Sequence, residues 1–348
     1  MRLKFAPILL AGLTAACAPP TKSEAQGAQP PAAQVAQAKE AAQAVGLHLD
    51  FPVACTVGSS CEVQNYVDRD PGPGAKDYRC GSSTYEAHGG VDIRIPDMAA
   101  QAAGVEVLAA AAGKVARLRD GVADVSVRTR GAAALQGQDC GNGVVIDHGQ
   151  GWETQYCHLA QGSLKVKVGD AVAAGTPIAR IGLSGNTEYP HLHLTVRKDG
   201  VMVDPSSPEP GCDPARRGVG LWTPSAARAM AYKSGAVLNA GFAADAVDMA
   251  AIEAGGIAPP GRQTALVAYV RAINLQGGDV QELTLTGPDG RVLVSSVQPA
   301  LERAKAQYML IAGKRAQPAG WPPGRYVATY IVRRGGKSVI SRDFAIVL

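Results

Sequence analysis

The run PHLHL at residues 190–194 places His191 and His193 one residue apart in a chain that has six histidines. Alternate residues of a β-strand point to the same side, so on a strand both imidazoles face one site. A lone His-x-His pair is more often structural than metal-binding. A functional role therefore requires further polar groups from other parts of the chain.

The stretch HGGVDIRI at residues 88–95 offers two such groups, His88 and Asp92. Its glycines disfavour a helix, and its Val and Ile residues alternate as in a strand whose other face carries Asp92. A straight strand would separate the two side chains by roughly 13 Å. We expect Gly89 and Gly90 to adopt positive φ angles and bend the chain, so that both side chains converge on a metal.

The segment QYCHL places His158 at the end of a further strand. Five polar groups thus gather at strand ends of one predicted sheet: His88, Asp92, His158, His191 and His193. Neutral imidazole and carboxylate are zinc ligands, and a catalytic zinc site uses three protein ligands and one open position. Five groups for three ligand positions leave two for proton transfer.

Four segments of residues 85–205 resemble, in order and nearly in spacing, the lysostaphin-type, or LytM-type, zinc endopeptidases of bacterial cell walls. They are HGGVD, GNGVVIDHGQGWETQYCHL, VKVGDAVAAGTPIARIG and PHLHL. The resemblance implies hydrolysis of amide bonds in the peptide cross-links or stems of peptidoglycan. It implies Zn²⁺ as the cofactor, with His88, Asp92 and His193 as metal ligands and His158 and His191 as catalytic residues.

The chain departs from the family pattern around this site. Thr195 stands where a Glu commonly follows the His-x-His motif, the sequence NTEYP replaces a Ser-Thr-Gly-Pro turn, and residues 120–139 form an apparent insertion. These departures concern substrate preference more than metal binding. His148, next to a predicted turn, is expected to be structural, and His48 has no assigned role.

The alternative function is that of a latent or non-catalytic regulator that binds and activates another peptidoglycan hydrolase. Non-catalytic relatives have lost zinc ligands, whereas this chain keeps all five positions. Latency would arise if the segment from Phe51 to Tyr85 covered the zinc site, with Asn65 or Tyr85 in the fourth zinc position.

Short alternating runs separated by Gly, Asp and Asn turns fill residues 88–205. This pattern is typical of an antiparallel sheet and not of βαβ units. We predict that residues 142–159 form a hairpin that turns at residues 149–151. The positions that carry the chemistry should therefore lie on neighbouring strands.

We predict a mainly β protein: an antiparallel β-sheet zinc endopeptidase domain over residues 47–215, followed by a small β-sandwich over residues 235–348. The connecting segment, residues 216–234, should contain a short helix that Thr223 caps. The sandwich should contain hairpins that turn at residues 287–290 and 334–337. It has no histidine or cysteine, so its expected roles are to bind wall polymer, contact a protein partner or cover the active-site groove.

Seven cysteines are present, and six remain if Cys17 is lipidated or removed. An even number in an exported chain suggests disulfides, although six cysteines allow 15 connectivities. Cys55 with Cys61 is a plausible local pair, and Cys140 with Cys157 would lie at the open end of the predicted hairpin. Cys80 with Cys212 would then remain.

Residues 1–17 read as an export signal, with Arg2 and Lys4 before an apolar run too short to span a bilayer. The sequence LTAAC resembles a bacterial lipobox, so we expect a lipid anchor at Cys17. Residues 18–46, rich in Ala, Gln and Pro, should form a flexible linker. These features predict a periplasmic protein anchored to the outer membrane.

Composition is compatible with two folded units, since 46% of the 348 residues are hydrophobic. Lys and Arg exceed Asp and Glu only by 34 to 30, and aromatic residues make up 5% of the chain. No dense basic run follows the N-terminus. The sequence therefore argues against nucleic acid as a partner.

Overall fold

The computed structural model describes residues 46–348. The predicted signal peptide, the lipidation site at Cys17 and the linker up to residue 45 lie outside the described residues. Within residues 46–348, no helix has the length and apolar character needed to cross a membrane.

Ten strands form the first region. Their bounds are β1 Glu62–Asn65, β2 Val91–Arg94, β3 Glu106–Leu108, β4 Gly113–Arg119, β5 Asn142–Gly149, β6 Trp152–Leu159, β7 Ala171–Val172, β8 Pro177–Arg180, β9 His191–Lys198 and β10 Val201–Val203. The helices are α1 Met98–Ala103, α2 Val127–Arg130 and a 3-10 helix at Ala132–Leu135. The last two fall within the predicted insertion.

Eight of these strands form one sheet in the order β1-β2-β9-β6-β5-β4-β7, with β10 paired to β9, while β3 and β8 form a separate pair. All the strand pairs are antiparallel, which confirms the predicted fold class. The three central strands β2, β9 and β6 are neighbours although they are far apart in sequence. Their adjacency brings the polar motifs together.

The strand β9 shows how the sequence sets the two faces of this sheet. Leu192, Leu194 and Val196 are buried in the hydrophobic core. The alternate residues His191 and His193 therefore point to the opposite face, as predicted. The hairpin of β5 and β6 turns where predicted, with positive φ angles over residues 149–151.

The second region begins after the short helix α3 Pro224–Ala229, whose first turn is capped by the Thr223 hydroxyl as predicted. Its elements are β11 Ala236–Ala243, α4 Met249–Ala254, β12 Leu266–Leu275, β13 Val280–Thr286, β14 Val292–Val297, β15 Lys305–Lys314, β16 Arg325–Arg334 and β17 Lys337–Val347. Two sheets, β11-β12-β15 and β14-β13-β16-β17, enclose a second hydrophobic core. Both predicted hairpins are present. The exact domain boundaries stay a prediction.

The three expected disulfides are all formed: Cys55–Cys61, Cys80–Cys212 and Cys140–Cys157. All six cysteines belong to the first region.

Buried charges connect the two regions. Arg94 of β2 and Arg271 of β12 are fully buried, and both guanidinium groups contact the same carboxylate oxygen of Glu253 in α4. Asn274 adds a hydrogen bond, donated by its amide to the carbonyl of Gln64. Arg94 belongs to the same strand, β2, as Asp92.

Candidate functional site

Two neighbouring strands form the centre of the site. Asp92 of β2 lies directly opposite His193 of β9 in the antiparallel register. The Asp92 Oδ1 atom is 2.9 Å from His193 Nδ1 and 3.4 Å from His191 Nε2. The strand pairing therefore brings both histidines of PHLHL to one carboxylate.

His88 joins this pair from the loop before β2. Its Nε2 atom lies 3.1 Å from Asp92 Oδ1 and 3.2 Å from His193 Nδ1. The predicted convergence is present, but the expected role of the glycines was wrong, because neither has a positive φ. Ala87 adopts the left-handed conformation instead, with φ of 59°.

Close packing explains the two glycines. A Cβ atom on Gly90 would lie 2.6 Å from His193 Nε2 and from the carbonyl oxygen of Leu194, and one on Gly89 would lie 2.9 Å from the sulfur of Met202. At Gly90, glycine is thus required because the chain lies so close to β9, and not because it bends there, whereas at Gly89 the neighbour is a flexible side chain of β10.

His158 reaches the site through an irregularity of β6. It has a φ of 62°, and its backbone N–H donates to the carbonyl of Cys140 at 2.8 Å. Left-handed backbone is uncommon outside glycine and here redirects the side chain. The His158 ring centroid lies 4.7 Å from that of His191 and 5.9 Å from that of His193.

Backbone carbonyls set which ring nitrogen of three histidines carries a proton. Nδ1 of His88 donates to Tyr66 at 2.6 Å, that of His158 to Ser184 at 2.8 Å, and that of His191 to Tyr189 at 3.0 Å. A carbonyl can only accept, so each Nε2 keeps its lone pair and faces the site.

The ring of His193 has the opposite orientation. Its Nε2 lies 3.1 Å from the hydroxyl oxygen of Thr195, which can accept a hydrogen bond from the ring N–H. Its Nδ1 is directed at Asp92 and His88. The position where the sequence departs from the family pattern thus holds a hydroxyl that orients His193.

Burial and neighbouring charges shift the pKa values of two groups. Burial by itself would raise the pKa of Asp92, but the imidazoles of His88 and His191 hold it well below its usual range. Burial lowers the pKa of His158 well below its usual value, and His191 and His193 lower it further. The site therefore combines an ionised carboxylate with a neutral imidazole at neutral pH.

The donor atoms of His88, Asp92 and His193 fit a metal ion. They lie within 4.8 Å of one another, as do those of an overlapping group, His158, His191 and His193. The first group includes the buried carboxylate, which offsets the charge of a divalent cation, and two nitrogen donors of the kind that zinc prefers. The second group has no charged ligand.

The family model that describes Peptidase family M23 matches residues 86–205. We refer to residues 86–205, the part of the chain that matches this family, as the M23 domain. This match confirms the resemblance to the LytM-type family. Members of the family are zinc metallopeptidases, although some are inactive.

Two curated proteins are similar to part of this chain. The Cell division protein DipM of Caulobacter vibrioides (strain NA1000 / CB15N) is 30% identical over 132 residues, which are 38% of this chain and 17% of DipM. The Murein hydrolase activator EnvC of Escherichia coli (strain K12) is 40% identical over 62 residues, 18% of this chain and 14% of EnvC. The matches thus cover a small part of each relative.

Solved structures are also similar to part of this chain. A zinc-containing peptidase from Vibrio cholerae is 24% identical, with coverage of 46% of this chain and 39% of that chain and a TM-score of 0.31. The catalytic domain of lysostaphin from Staphylococcus simulans is 23% identical, with coverage of 40% of this chain and 85% of that chain and a TM-score of 0.26.

Asn65 contributes to the M23 site in a way that the sequence did not indicate. Its side-chain amide donates to Asp92 Oδ2 at 2.9 Å, opposite the oxygen that faces the histidines. It thereby orients the carboxylate and is not placed as a ligand. The pairing of Asn65 with Asp92 in neighbouring strands would have revealed this contact only once the register was known.

Tyr85 lies at the entrance of the M23 site. Its side chain is 52% exposed, and its ring centroid is 4.4 Å from that of His88. It lines both a cleft of about 270 Å³ with His158 and His193 and a cleft of about 310 Å³ with His191. The hypothesis that Tyr85 makes the enzyme latent stays a prediction.

The remaining histidines lie away from this centre. His148 is buried, with Nδ1 donating to the carbonyl of Ala112 and Nε2 near the hydroxyl of Thr154. These contacts agree with the expected structural role. His48 is exposed.

Proposed function

We propose that the protein is a zinc-dependent endopeptidase that hydrolyses amide bonds in peptidoglycan cross-links or stems at the cell envelope. The observation that carries this proposal is the convergence of three donor groups, from the buried His88 and Asp92 and the partly buried His193, beside two further imidazoles. The M23 assignment supports a peptidase, and the name of EnvC links a relative to murein.

The metal would be held by His88, Asp92 and His193. When bound, Zn²⁺ supplies a Lewis acid that activates water and polarises a carbonyl. The protein supplies a fixed ligand geometry, because Tyr66, Asn65 and Thr195 orient the three ligands.

His158 and His191 would move protons. Each presents an Nε2 lone pair to the cleft, since its Nδ1 proton is held by a backbone carbonyl. Burial lowers the pKa of His158 and so keeps this imidazole neutral at neutral pH, with a lone pair on Nε2. Once protonated, either ring can donate to the departing amine.

The location that we propose is the periplasmic side of the outer membrane, with a lipid anchor at Cys17. An anchor and a linker would hold the site at high local concentration beside an immobile polymer. Relatives in cell division and murein hydrolysis are consistent with an envelope protein.

Digestion of purified peptidoglycan tests the proposal, with products identified by mass spectrometry. The chain is compared with and without added Zn²⁺ and with His191→Ala, whose zinc content is measured separately. We expect zinc-dependent release of cleaved peptides by the unchanged chain alone, while His191→Ala keeps its metal. Equal release by both proteins would contradict the assigned role of His191.

A second candidate is a regulator that binds and activates another peptidoglycan hydrolase. The name of EnvC, Murein hydrolase activator, supports it. The complete set of five polar groups favours the enzyme. Bound zinc without any cleavage, together with stimulation of an added hydrolase, would favour the regulator.

A further inference from the structure

We propose that the cleft beside the M23 metal centre continues into an arginine-lined subsite that binds a carboxylate of the peptide substrate. This inference deepens the proposed function, because it names the chemical class that the groove selects. It rests on that function for the identity of the peptide, whereas the binding site itself is argued from the geometry of the sheet.

The groove is continuous across four strands. The cleft of about 270 Å³ at the metal centre and a neighbouring cleft of about 190 Å³ are both lined by Cys140 and Gln155. Gln155 of β6 pairs with Thr195 of β9 on one side and with Val145 of β5 on the other. Val145 in turn pairs with Arg117 of β4. These side chains form one row on the face that carries the histidines.

The row has the length of a short peptide. Neighbouring strands are about 4.8 Å apart, so three steps from β9 to β4 span roughly 14 Å. Extended chain advances about 3.3 to 3.6 Å per residue, so this distance corresponds to about four residues. A peptide whose scissile carbonyl lies beside His191 would therefore reach β4 three or four residues further along.

Arginines line the groove away from the metal centre. Arg197 borders the first cleft, and Arg117 and Arg119 border the second. Of these three arginines, only Arg117 forms an ion pair within residues 46–348, with the carboxylate of Glu153 at 2.9 Å. Asp139 is the one acidic side chain that lines either cleft, and it accepts a hydrogen bond from Asn186. The groove thus carries an excess of positive charge.

Neutral groups hold the two other guanidinium groups in place. Arg197 Nη1 donates to the amide oxygen of Gln155 at 2.7 Å, and Arg119 Nε donates to the carbonyl of Gly141 at 2.6 Å. Both side chains are half-buried. A guanidinium group has five N–H donors, and these are the only hydrogen bonds that either group forms within the described part of the chain. The remaining donors are available to a ligand.

These properties select a carboxylate. A guanidinium fork matches the two oxygens of a carboxylate, and charge-assisted hydrogen bonds are stronger than neutral ones. A carboxamide of the same shape carries no charge and offers one acceptor oxygen. The groove should therefore distinguish an acidic peptide from its amidated counterpart.

Binding to chemically modified wall polymer tests the subsite. Purified peptidoglycan is used as such or after its carboxylates have been converted to amides with a carbodiimide and ammonia. Affinity is measured by cosedimentation with His191→Ala, which prevents turnover. The measurement is repeated with two further variants of the His191→Ala protein. One also carries Arg119→Gln and Arg197→Gln. The control also carries Arg325→Gln, which removes an exposed arginine on β16.

We expect amidation of the polymer to weaken binding by about tenfold in the His191→Ala background and in the Arg325→Gln control. In the double arginine variant, native polymer should bind as weakly as amidated polymer, within about twofold. Arg119→Lys with Arg197→Lys should keep part of the dependence on carboxylates, because the charges remain, and this variant guards against a folding defect. A double Gln variant that keeps the full dependence would overturn the inference.

Failure of the subsite differs from failure of the proposed function. If the unchanged chain cleaves peptidoglycan but binding depends neither on the carboxylates nor on the arginines, only the subsite is refuted. If binding depends on the carboxylates and on the arginines but no cleavage occurs, the groove remains as the binding site of a regulator.

Discussion

The two regions of the molecule both bury charged side chains, but with different consequences. In the M23 domain, Asp92 meets the imidazoles of four histidines, and their lone pairs are directed at a cleft. In the sandwich, the guanidinium of Arg334 binds both oxygens of the buried carboxylate of Asp279, at 2.7 and 2.9 Å. Burial of charge alone therefore does not indicate a functional site. Convergence of groups with unused donors or lone pairs does.

Loss of a metal ligand should affect the M23 domain far more than any comparable change affects the sandwich. We expect His193→Ala to lower both zinc content and turnover by roughly a thousandfold. Zinc is measured by elemental analysis and turnover by release of wall peptides. As a control, Tyr330→Phe removes the buried hydroxyl that donates to Gln281 but should leave zinc content and turnover unchanged. A fully active His193→Ala protein would refute the site.

Removal of the Cys140–Cys157 disulfide should affect both stability and turnover. The bridge closes a loop with a sequence separation of 17, which stabilises by about 3 kcal/mol on chain entropy alone. The bridge also holds in place the backbone carbonyl of Cys140, which accepts the hydrogen bond from the N–H of His158, so replacing both cysteines with Ser should lower turnover by about tenfold while zinc content is retained.

The Cys55–Cys61 bridge provides the matched control. It closes a loop with a sequence separation of 6, so its removal should cost about 2 kcal/mol and leave turnover unchanged. Denaturant unfolding and peptide release measure the two effects. Equal loss of turnover in both pairs of variants would remove the special role of Cys140.

The contact between the regions depends on Glu253. Glu253→Gln would leave Arg94 and Arg271 buried without a counter-charge, and we expect it to lower the free energy of unfolding by about 2 to 3 kcal/mol. Glu282→Gln, in a half-exposed pair with Arg333, should cost less than about 1 kcal/mol. Similar values for the two variants in urea unfolding would show that the buried network contributes little.

Asp204 should produce the smallest effect, a change in the pH dependence of stability. Burial raises the pKa of Asp204 to about 6. The folded state therefore binds a proton more readily than the unfolded chain, so this group stabilises the fold increasingly as pH falls through 6, with the full effect below about 3.9. The free energy of unfolding of Asp204→Asn is compared with that of the unchanged chain at two pH values. We expect the difference to favour the variant by about 1 to 2 kcal/mol more at pH 7.5 than at pH 5. A pH-independent difference in thermal unfolding would contradict this assignment.

Much of the fold followed from local patterns. The alternation in β9 predicted which face carries His191 and His193, and positive φ angles at the turn of residues 149–151 matched the hairpin. The glycines at residues 89 and 90 were misinterpreted, because glycine serves both for positive φ and for close packing. Only the distance to β9 distinguishes the two uses.

By itself, the sequence determined the five polar groups, the strands that carry them and the family of the M23 domain, because residue type, alternation and turns are local properties of the chain. Tertiary structure alone decided the rest. The contact of Asn65 with Asp92, the carbonyls of Tyr66 and Ser184 that fix two histidine tautomers, and the row from Gln155 to Arg117 all join residues that are distant in sequence. Such contacts depend on strand order and register, which result from how the whole sheet packs on its core.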